Sequence, residues 1–301
     1  MMNKDFIYKN RYAIGGALAV AIVGIALYFS KKGKKPTLFS TNKVMGNVWS
    51  NEGEFFNVEG KNLTQLAKEV GITLTRNRGL NNPFSKDVYN NFKNNPKVYW
   101  AIYDITNDKL LASSQNATKN VYGASVPKVC VAAAALSNNN GVLPKDSDYQ
   151  KVIKLLVKSD NDVWTYLQNL AGGKDAVNNW DKKMGYSMKS ARTGGNNANA
   201  VDMCKFFNDV VRNNFKGAET IFKLTSSCGT DSGRGRKCMP KEVFMGGKTG
   251  TFPPESSNHD CCWIRNGDKF YSICVLTELG ANGSNAIAQM FRGLYNEYAI
   301  N

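Results

Sequence analysis

The sequence predicts an α+β fold: an antiparallel sheet flanked by helices, an all-helical subdomain, and an N-terminal transmembrane helix before them. Three observations lead to this prediction. Segments rich in β-branched and aromatic residues lie near both ends of the globular part and enclose a helical middle. Asn266-Gly267 separates two of these segments, which is a strong hairpin signal. An uncharged apolar run lies close to the N-terminus.

The apolar run extends from Tyr12 to Phe29 and contains 18 residues. At a rise of about 1.5 Å per residue, a helix of this length just crosses a hydrocarbon core of about 30 Å. A cleaved signal peptide is the alternative, but it would have a shorter apolar region that ends in small residues. Here Lys31 and Lys32 follow instead, which favours an uncleaved anchor. The chain is thus divided into a tail (1–11), the anchor (12–29), a basic tether (30–50) and one domain (51–301).

The composition limits the classes of function. A hydrophobic content of 42% is sufficient for a real core, and the net charge of +15 suits an anionic surface such as a bacterial envelope. Nucleic-acid binding is not expected, because the sequence has neither zinc-finger spacing nor an RNP-like aromatic motif. The seven cysteines form no CxxC pair and His259 is the only histidine, so neither a metal nor a cofactor is expected. Cys228 and Cys238 could close one disulfide loop, and most cysteines are expected to be small buried residues.

Within the domain, periodicity predicts the elements in order. Apolar residues spaced for one helical face begin at Leu63 and continue to Ile72. The predicted strands are Lys97 to Ile105, Lys109 to Ser113, Phe244 to Thr251, Asp260 to Ile264 and Lys269 to Thr277. The predicted helices are Val126 to Leu136, 149–158, 162–171, 198–212 and Asn285 to Tyr298. Strands, a helical middle, more strands and a final helix suit a sheet interrupted by a helical insertion.

Three short motifs occur in order along the domain. They are Ser125-Val126-Pro127-Lys128, Ser159-Asp160-Asn161 and Lys248-Thr249-Gly250. Each is weak alone, but in this order they resemble the SxxK, SDN and KTG set of class A β-lactamases and penicillin-binding proteins. The resemblance covers about residues 95 to 301. It implies a β-lactamase/transpeptidase-like domain in which Ser125 is the nucleophile of an acyl enzyme.

The first motif has a physical rationale of its own. A serine hydroxyl is a poor nucleophile until a neighbouring base removes its proton. Ser125 and Lys128 are spaced i and i+3, so they share one helical face. Lys128 can act as the base if burial and nearby positive charge lower its pKa. Ser125 is expected at the start of the helix, where the helix dipole favours developing negative charge.

The resemblance assigns roles to the other motif residues. Catalytic roles fall to Ser125, Lys128, Ser159 and Lys248, with Ser159 relaying a proton to the leaving group. It implies that Asn161 bonds the substrate amide, that Lys248 and Thr249 hold the substrate carboxylate, and that Gly250 lets the peptide pair along the strand. The backbone N–H groups of Ser125 and Thr251 would form the oxyanion hole.

Two basic residues and the histidine lie near the third motif. Arg236, together with Arg234, is a candidate to reinforce carboxylate binding from the neighbouring loop, although a solvated basic loop is the alternative. His259 is expected in a loop rather than as a catalytic base, because no G-x-S-x-G segment accompanies it.

The sequence departs from the family in two ways. Class A β-lactamases carry a glutamate after SDN that activates the deacylating water, but no Glu occurs between Asp162 and Ala218. The corresponding loop, Tyr186 to Asn199, has no carboxylate, and the nearby Asp175, Asp181 and Asp202 are interpreted as helix-surface or cap residues. In addition, only 34 residues separate Ser125 from Ser159, which suggests a more open groove. An acyl-enzyme lacking a positioned base should persist.

These observations leave four hypotheses. The first is a serine hydrolase or transpeptidase that acts on D-Ala-D-Ala-like peptides or β-lactams and deacylates slowly. The others are a true class A-type β-lactamase, a non-catalytic peptidoglycan-binding or sensor module, and an unrelated esterase with the same Ser/Lys pair. The basic residues on both sides of the apolar run do not decide its orientation. The chemistry places the domain outside the cytoplasm, anchored to the membrane and either periplasmic or extracellular.

Overall fold

The computed structural model describes residues 54–228 and 234–300. The predicted anchor (12–29) and the tether lie outside the described residues. Within the two described ranges, no helix is both long and apolar enough to cross a bilayer.

The described residues form groups of consecutive strands and groups of consecutive helices. The strands are β1 Asn57–Val58, β2 Lys61–Asn62, β3 Val98–Asp104, β4 Lys109–Ser113, β5 Val121–Tyr122, β6 Asn197–Ala198, β7 Phe244–Phe252, β8 Ser257–Asn266 and β9 Lys269–Thr277. The helices are α1 Leu63–Glu69, α2 Lys86–Lys93, α3 Lys128–Asn138, α4 Asp146–Val157, α5 Asp162–Leu170, α6 Lys174–Met184, α7 Ala200–Val211, α8 Ala218–Thr225 and α9 Gly283–Tyr298.

Five strands form one antiparallel sheet in the order β4-β3-β9-β8-β7. Alternate side chains of β3 enter different cores: Tyr99 and Ala101 face one side, whereas Val98, Trp100 and Ile102 face the other. Helix α7 packs on the first face, and helices α2 and α9 cover the second. The predicted mixed fold, an antiparallel sheet with flanking helices, is confirmed.

Helix α3 lies at the centre of the helical part of the molecule. Every residue from Lys128 to Leu136 is buried, and the helix contacts α4, α5, α6 and α8. Alanine suits this position because small side chains let neighbouring helices approach on all sides. The predicted buried helix is therefore confirmed, although it begins at Lys128 rather than Val126.

Several boundaries differ from the sequence prediction for identifiable reasons. The Asn266-Gly267 hairpin is confirmed, with Gly267 at a φ of +57°. Strand β8 begins at Ser257, three residues earlier than predicted, because polar Ser257, Asn258 and His259 are buried and paired with β7. Helices α2, α6 and α8 escaped prediction. In α6 only Val177, Trp180 and Asp181 of its eleven residues are buried, so its apolar pattern is weak.

The cysteines are all buried thiols, as expected, and none forms a disulfide. The Cys228–Cys238 loop that their spacing permits does not form. Cys228 Sγ donates instead to Leu156 O (3.2 Å), and Cys238 Sγ donates to Pro83 O (3.3 Å).

Candidate active site

Ser125 lies in the turn between β5 and α3. The turn is closed by Val126 N donating to Gly123 O (3.0 Å), and α3 begins at Lys128, later than predicted. The residue before the serine, Ala124, has a φ of +50°, a left-handed conformation that is uncommon for residues other than glycine. Such conformations cost about 1–3 kcal/mol and cluster at active sites.

Lys128 is fully buried and faces the second motif. Its Nζ donates to Asn161 Oδ1 (2.7 Å), to Ser159 Oγ (3.2 Å) and to the Ser159 carbonyl. Within the described residues it has no hydrogen bond to Ser125 Oγ. The first and second motifs are therefore brought together by the lysine rather than by the serine.

The third motif reaches the same point from strand β7. Lys248 is buried, and its Nζ donates to Ser159 Oγ (2.9 Å) and to Thr249 O (2.9 Å). The Ser159 hydroxyl thus accepts hydrogen bonds from both lysines. Ser159 adopts a φ of +57° in the segment that connects α4 to α5. The three motifs converge on this one hydroxyl.

Burial shifts the pKa of both lysines downward, and neighbouring positive charges add to the effect. The pKa of Lys128 falls to about 7, chiefly through burial and then through the charges of Lys248 and Arg192, against an opposing effect of Asp160. Burial lowers the pKa of Lys248 to about 8. A lysine with a pKa near 7 is partly neutral at neutral pH and can therefore accept a proton.

Strand β7 lies at the edge of the sheet and packs directly against the nucleophile turn. A Cβ added to Gly250 would lie 3.0 Å from Ser125 N and 3.1 Å from Gly123 O. Because the glycine lacks a side chain, the strand can approach this closely. The predicted oxyanion donors, Ser125 N–H and Thr251 N–H, therefore belong to segments in contact.

Of the two candidate arginines, Arg234 is the one that contacts the third motif. Its buried guanidinium donates to Gly250 O (2.8 Å), to His259 O (2.8 Å) and to Thr251 Oγ1. Arg236 Nε donates instead to Arg78 O (2.8 Å). Within the described part of the chain, Arg236 has no hydrogen bond to the third motif, so its substrate-binding role remains a prediction.

His259 lies in β8 and not in a loop, so that prediction is wrong. Its ring is completely buried: Nε2 donates to Tyr122 O (2.8 Å), and Nδ1 accepts from Thr277 N (3.1 Å). Burial lowers its pKa to about 4, so the ring is neutral at neutral pH. His259 thereby links Tyr122, which lies three residues before Ser125, to Thr277 of strand β9.

Replacing His259 by Gln should remove part of the acid sensitivity of folding. The folded-state pKa of about 4 lies below the ordinary 6.5, so as the pH falls the unfolded chain binds the proton first. Wild type should therefore lose about 2 kcal/mol more unfolding free energy than His259→Gln between pH 7 and pH 5. Urea denaturation of both proteins at the two pH values measures this difference. Equal losses would contradict the assignment, since all other titrating groups are common to both proteins.

Two buried carboxylates hold the loop that follows α6. Asp181 accepts from Ser190 N (2.7 Å), and Asp202 accepts from Ser187 N (2.7 Å). Burial raises the pKa of Asp181 to about 7. The interpretation as helix-surface or cap residues is wrong for Asp181, which is fully buried. Asp202 does lie in the first turn of α7, but it is also buried. Asp175 is exposed, as predicted.

Sequence reasoning missed one residue that reaches the site from this loop. Arg192 NH1 donates to Asn161 O (3.1 Å) and to Thr165 Oγ1 (2.6 Å). It lies where the family pattern led us to look for a glutamate. The only sequence signal was its place in the loop, which Lys189 shares.

Comparisons with known proteins identify the family of the chain. The family model described as the β-lactamase enzyme family matches residues 141–298, just over half of the chain, and includes the second and third motifs. The chain therefore belongs to the β-lactamase enzyme family, and it is a serine hydrolase of the β-lactamase type. A comparison with curated protein sequences finds no match.

Solved structures show the same fold at low sequence identity. A class A β-lactamase from Bacteroides cellulosilyticus superposes with a TM-score of 0.58 at 17% identity, covering 71% of this chain and 98% of that one. A β-lactamase from Chitinophaga pinensis gives 0.56 at 16% identity, with 70% and 96% covered. A β-lactamase from Sphaerobacter thermophilus gives 0.54 at 16% identity, with 66% and 90% covered.

Proposed function

We propose that Ser125 is acylated by D-Ala-D-Ala-like peptides or β-lactams and that the acyl-enzyme is hydrolysed slowly. The observation that carries the proposal is the convergence of Lys128 and Lys248 on Ser159 Oγ. Two buried lysines with lowered pKa values around one hydroxyl form a proton relay, which a purely structural cluster would not require.

In this proposal acylation begins when neutral Lys128 takes the proton of Ser125 Oγ. The oxygen attacks the substrate carbonyl, and the negative charge formed there is stabilised by the N–H groups of Ser125 and Thr251. Substrate binding brings Ser125 within reach of Lys128, whose present partners are Ser159 and Asn161. Catalytic hydrogen bonds commonly tighten only when substrate is bound.

The second half of acylation requires a proton for the leaving amine. Ser159 Oγ supplies it and recovers one from the adjacent lysine ammonium groups, which lie 3.2 and 2.9 Å away. The carbon–nitrogen bond breaks and the acyl group remains on Ser125 Oγ. Lys248 and Thr249 bind the substrate carboxylate, and Arg234 holds their strand through its hydrogen bond to Gly250 O (2.8 Å).

Slow deacylation follows from the groups around Asn161. No carboxylate occurs in the loop Tyr186 to Asn199, and Arg192 holds the position next to Asn161. An arginine is always protonated and cannot activate water. A peptidase or penicillin-binding role is therefore favoured over rapid β-lactam hydrolysis.

The alternative is a true β-lactamase, which is favoured by the family match and by the similar structures, since these are β-lactamases. Under this alternative, Lys128, with its pKa of about 7, would activate the deacylating water as well. Steady turnover of nitrocefin would support it, whereas a single stoichiometric burst would support the slow acyl-enzyme.

Intact-protein mass spectrometry after adding benzylpenicillin tests the proposal directly. We expect a single covalent adduct on the wild type that persists for many minutes. Ser125→Ala should form none, while Ser147→Ala, which removes an exposed hydroxyl on α4, should be acylated like wild type. The proposal is wrong if the wild-type protein gains no mass or if the Ser125→Ala variant is acylated.

We further propose that the domain acts outside the cytoplasm and that the anchor, residues 12–29, attaches it to the membrane. The support is the length of this apolar run and the extracytoplasmic location of the proposed substrates. Protease added to intact cells should degrade the domain if this is so, and should leave it intact if the domain faces the cytoplasm.

A further inference from the structure

Arg192 is an exposed cation held in place beside the proposed active site. Its NH1 donates to Asn161 O (3.1 Å) and to the Thr165 hydroxyl (2.6 Å), so both of its acceptors are neutral. Within residues 54–228 and 234–300 no carboxylate forms an ion pair with it. The side chain is thus positioned while its charge remains available to a ligand.

The surroundings of Arg192 are already positive. Arg192 Cζ lies 5.6 Å from the centroid of the Trp164 ring, and Lys128 Nζ lies 4.9 Å from the same centroid. Lys248 adds a third cation through its contact with Ser159. The nearest motif carboxylate, Asp160, accepts from Asp162 N (2.8 Å), which is a local turn contact. An anionic occupant would relieve this repulsion.

A series of contacts separates Arg192 from Lys248, the proposed partner of the substrate carboxylate. Lys248 contacts Ser159, Ser159 contacts Lys128, and Lys128 contacts Asn161. Lys128 binds the side-chain oxygen of Asn161, whereas Arg192 binds its backbone carbonyl. In the proposed function Lys248 meets the terminal carboxylate and Asn161 meets the amide on the acyl side. Arg192 therefore lies beyond the amide, next to the acyl portion of the substrate.

We propose that Arg192 forms a second anion subsite, which selects substrates that carry a free carboxylate on the acyl side. This inference rests on the proposed acylation of Ser125. The guanidinium offers NH2 and Nε donors beyond the two hydrogen bonds of NH1, and a planar fork of this kind suits a carboxylate. The substrate class is a peptide whose residue on the acyl side bears a free carboxylate.

The probes are carbenicillin and benzylpenicillin, which differ by one carboxylate in the acyl side chain. Second-order acylation rate constants for both are measured by intact-protein mass spectrometry on wild type and Arg192→Gln. The ratio of carbenicillin to benzylpenicillin should fall by about five- to tenfold in Arg192→Gln, as expected for loss of one partly exposed charged hydrogen bond. A purely structural role for Arg192 would slow both compounds equally and leave the ratio unchanged.

The matched control is Lys189→Gln, which removes an exposed cation from the same loop without touching Asn161. Its ratio should equal that of wild type. An unchanged ratio in Arg192→Gln, or an equal fall in Lys189→Gln, overturns the subsite while leaving the proposed function intact. If neither penicillin acylates wild type, the proposed function itself fails and the subsite fails with it.

Discussion

Lys128→Met should slow the acylation of Ser125 by about 10²- to 10⁴-fold, the contribution expected of a general base. Methionine has a similar length and no titratable group, so the buried volume is kept while the proton acceptor is lost. Acylation by benzylpenicillin, followed by intact-protein mass spectrometry, measures the change.

The pH dependence distinguishes a base from a merely structural lysine. Acylation by wild type should rise as the pH passes about 7, because Lys128 must lose its proton to act. It should fall again above about 8, where Lys248 loses the ammonium charge that binds the substrate carboxylate. Lys128→Met should lose the rising limb and keep the falling one.

Lys128→Arg provides the matched control because it retains the positive charge but cannot give up a proton near neutral pH. It should be about as slow as Lys128→Met. If Lys128→Arg acylates at the wild-type rate, the charge of residue 128 is what matters and its role as base is wrong. Urea midpoints for both variants verify that the fold is retained.

The strands of the sheet and the central helix α3 were predictable from the sequence, whereas helices α2, α6 and α8 were not. Strand β3 alternates between two cores, and the Ala-rich helix α3 is buried on every side, so both patterns are strong. Helix α6 was missed because it is mostly exposed, and its boundaries follow from glycines at both ends. The start of β8 was missed because Ser257, Asn258 and His259 are polar. Asn258 and His259 can be buried there because they form hydrogen bonds to Gly280 and Tyr122, which are distant in sequence.

The candidate site was predictable as a set of motifs but not as a set of contacts. Spacing placed Lys128 on the face of Ser125, whereas the structure turns its ammonium group toward Ser159 and Asn161. Whether Arg234 or Arg236 supports strand β7 depends on the path of a loop, which local patterns do not encode. Arg192 is separated from Asn161 by 31 residues in sequence and belongs to none of the three motifs, so no sequence pattern indicated that it lies at the site.

Gly250→Ala should slow acylation of Ser125 by about 10- to 100-fold, since small misplacements of catalytic groups cost factors of this size. Gly250 lacks a positive φ, so alanine suits its backbone. The added Cβ would lie 3.0 Å from Ser125 N and 3.2 Å from the Cβ of Ala124, closer than ordinary van der Waals contact. Strand β7 and the nucleophile turn must therefore move apart, which separates the two N–H groups of the proposed oxyanion hole.

The effect should appear in the chemical step rather than in binding. Because the oxyanion exists only after attack, the limiting acylation rate constant should fall, while the penicillin concentration that gives half of it changes little. Rapid-quench mass spectrometry over a range of concentrations separates these quantities. Thr251→Ala is a useful comparison: it removes the hydroxyl that Arg234 contacts but keeps the Thr251 N–H position, so it should be much milder. A Gly250→Ala protein that acylates at the wild-type rate would show that the contact between β7 and the turn does not set the geometry of the oxyanion hole.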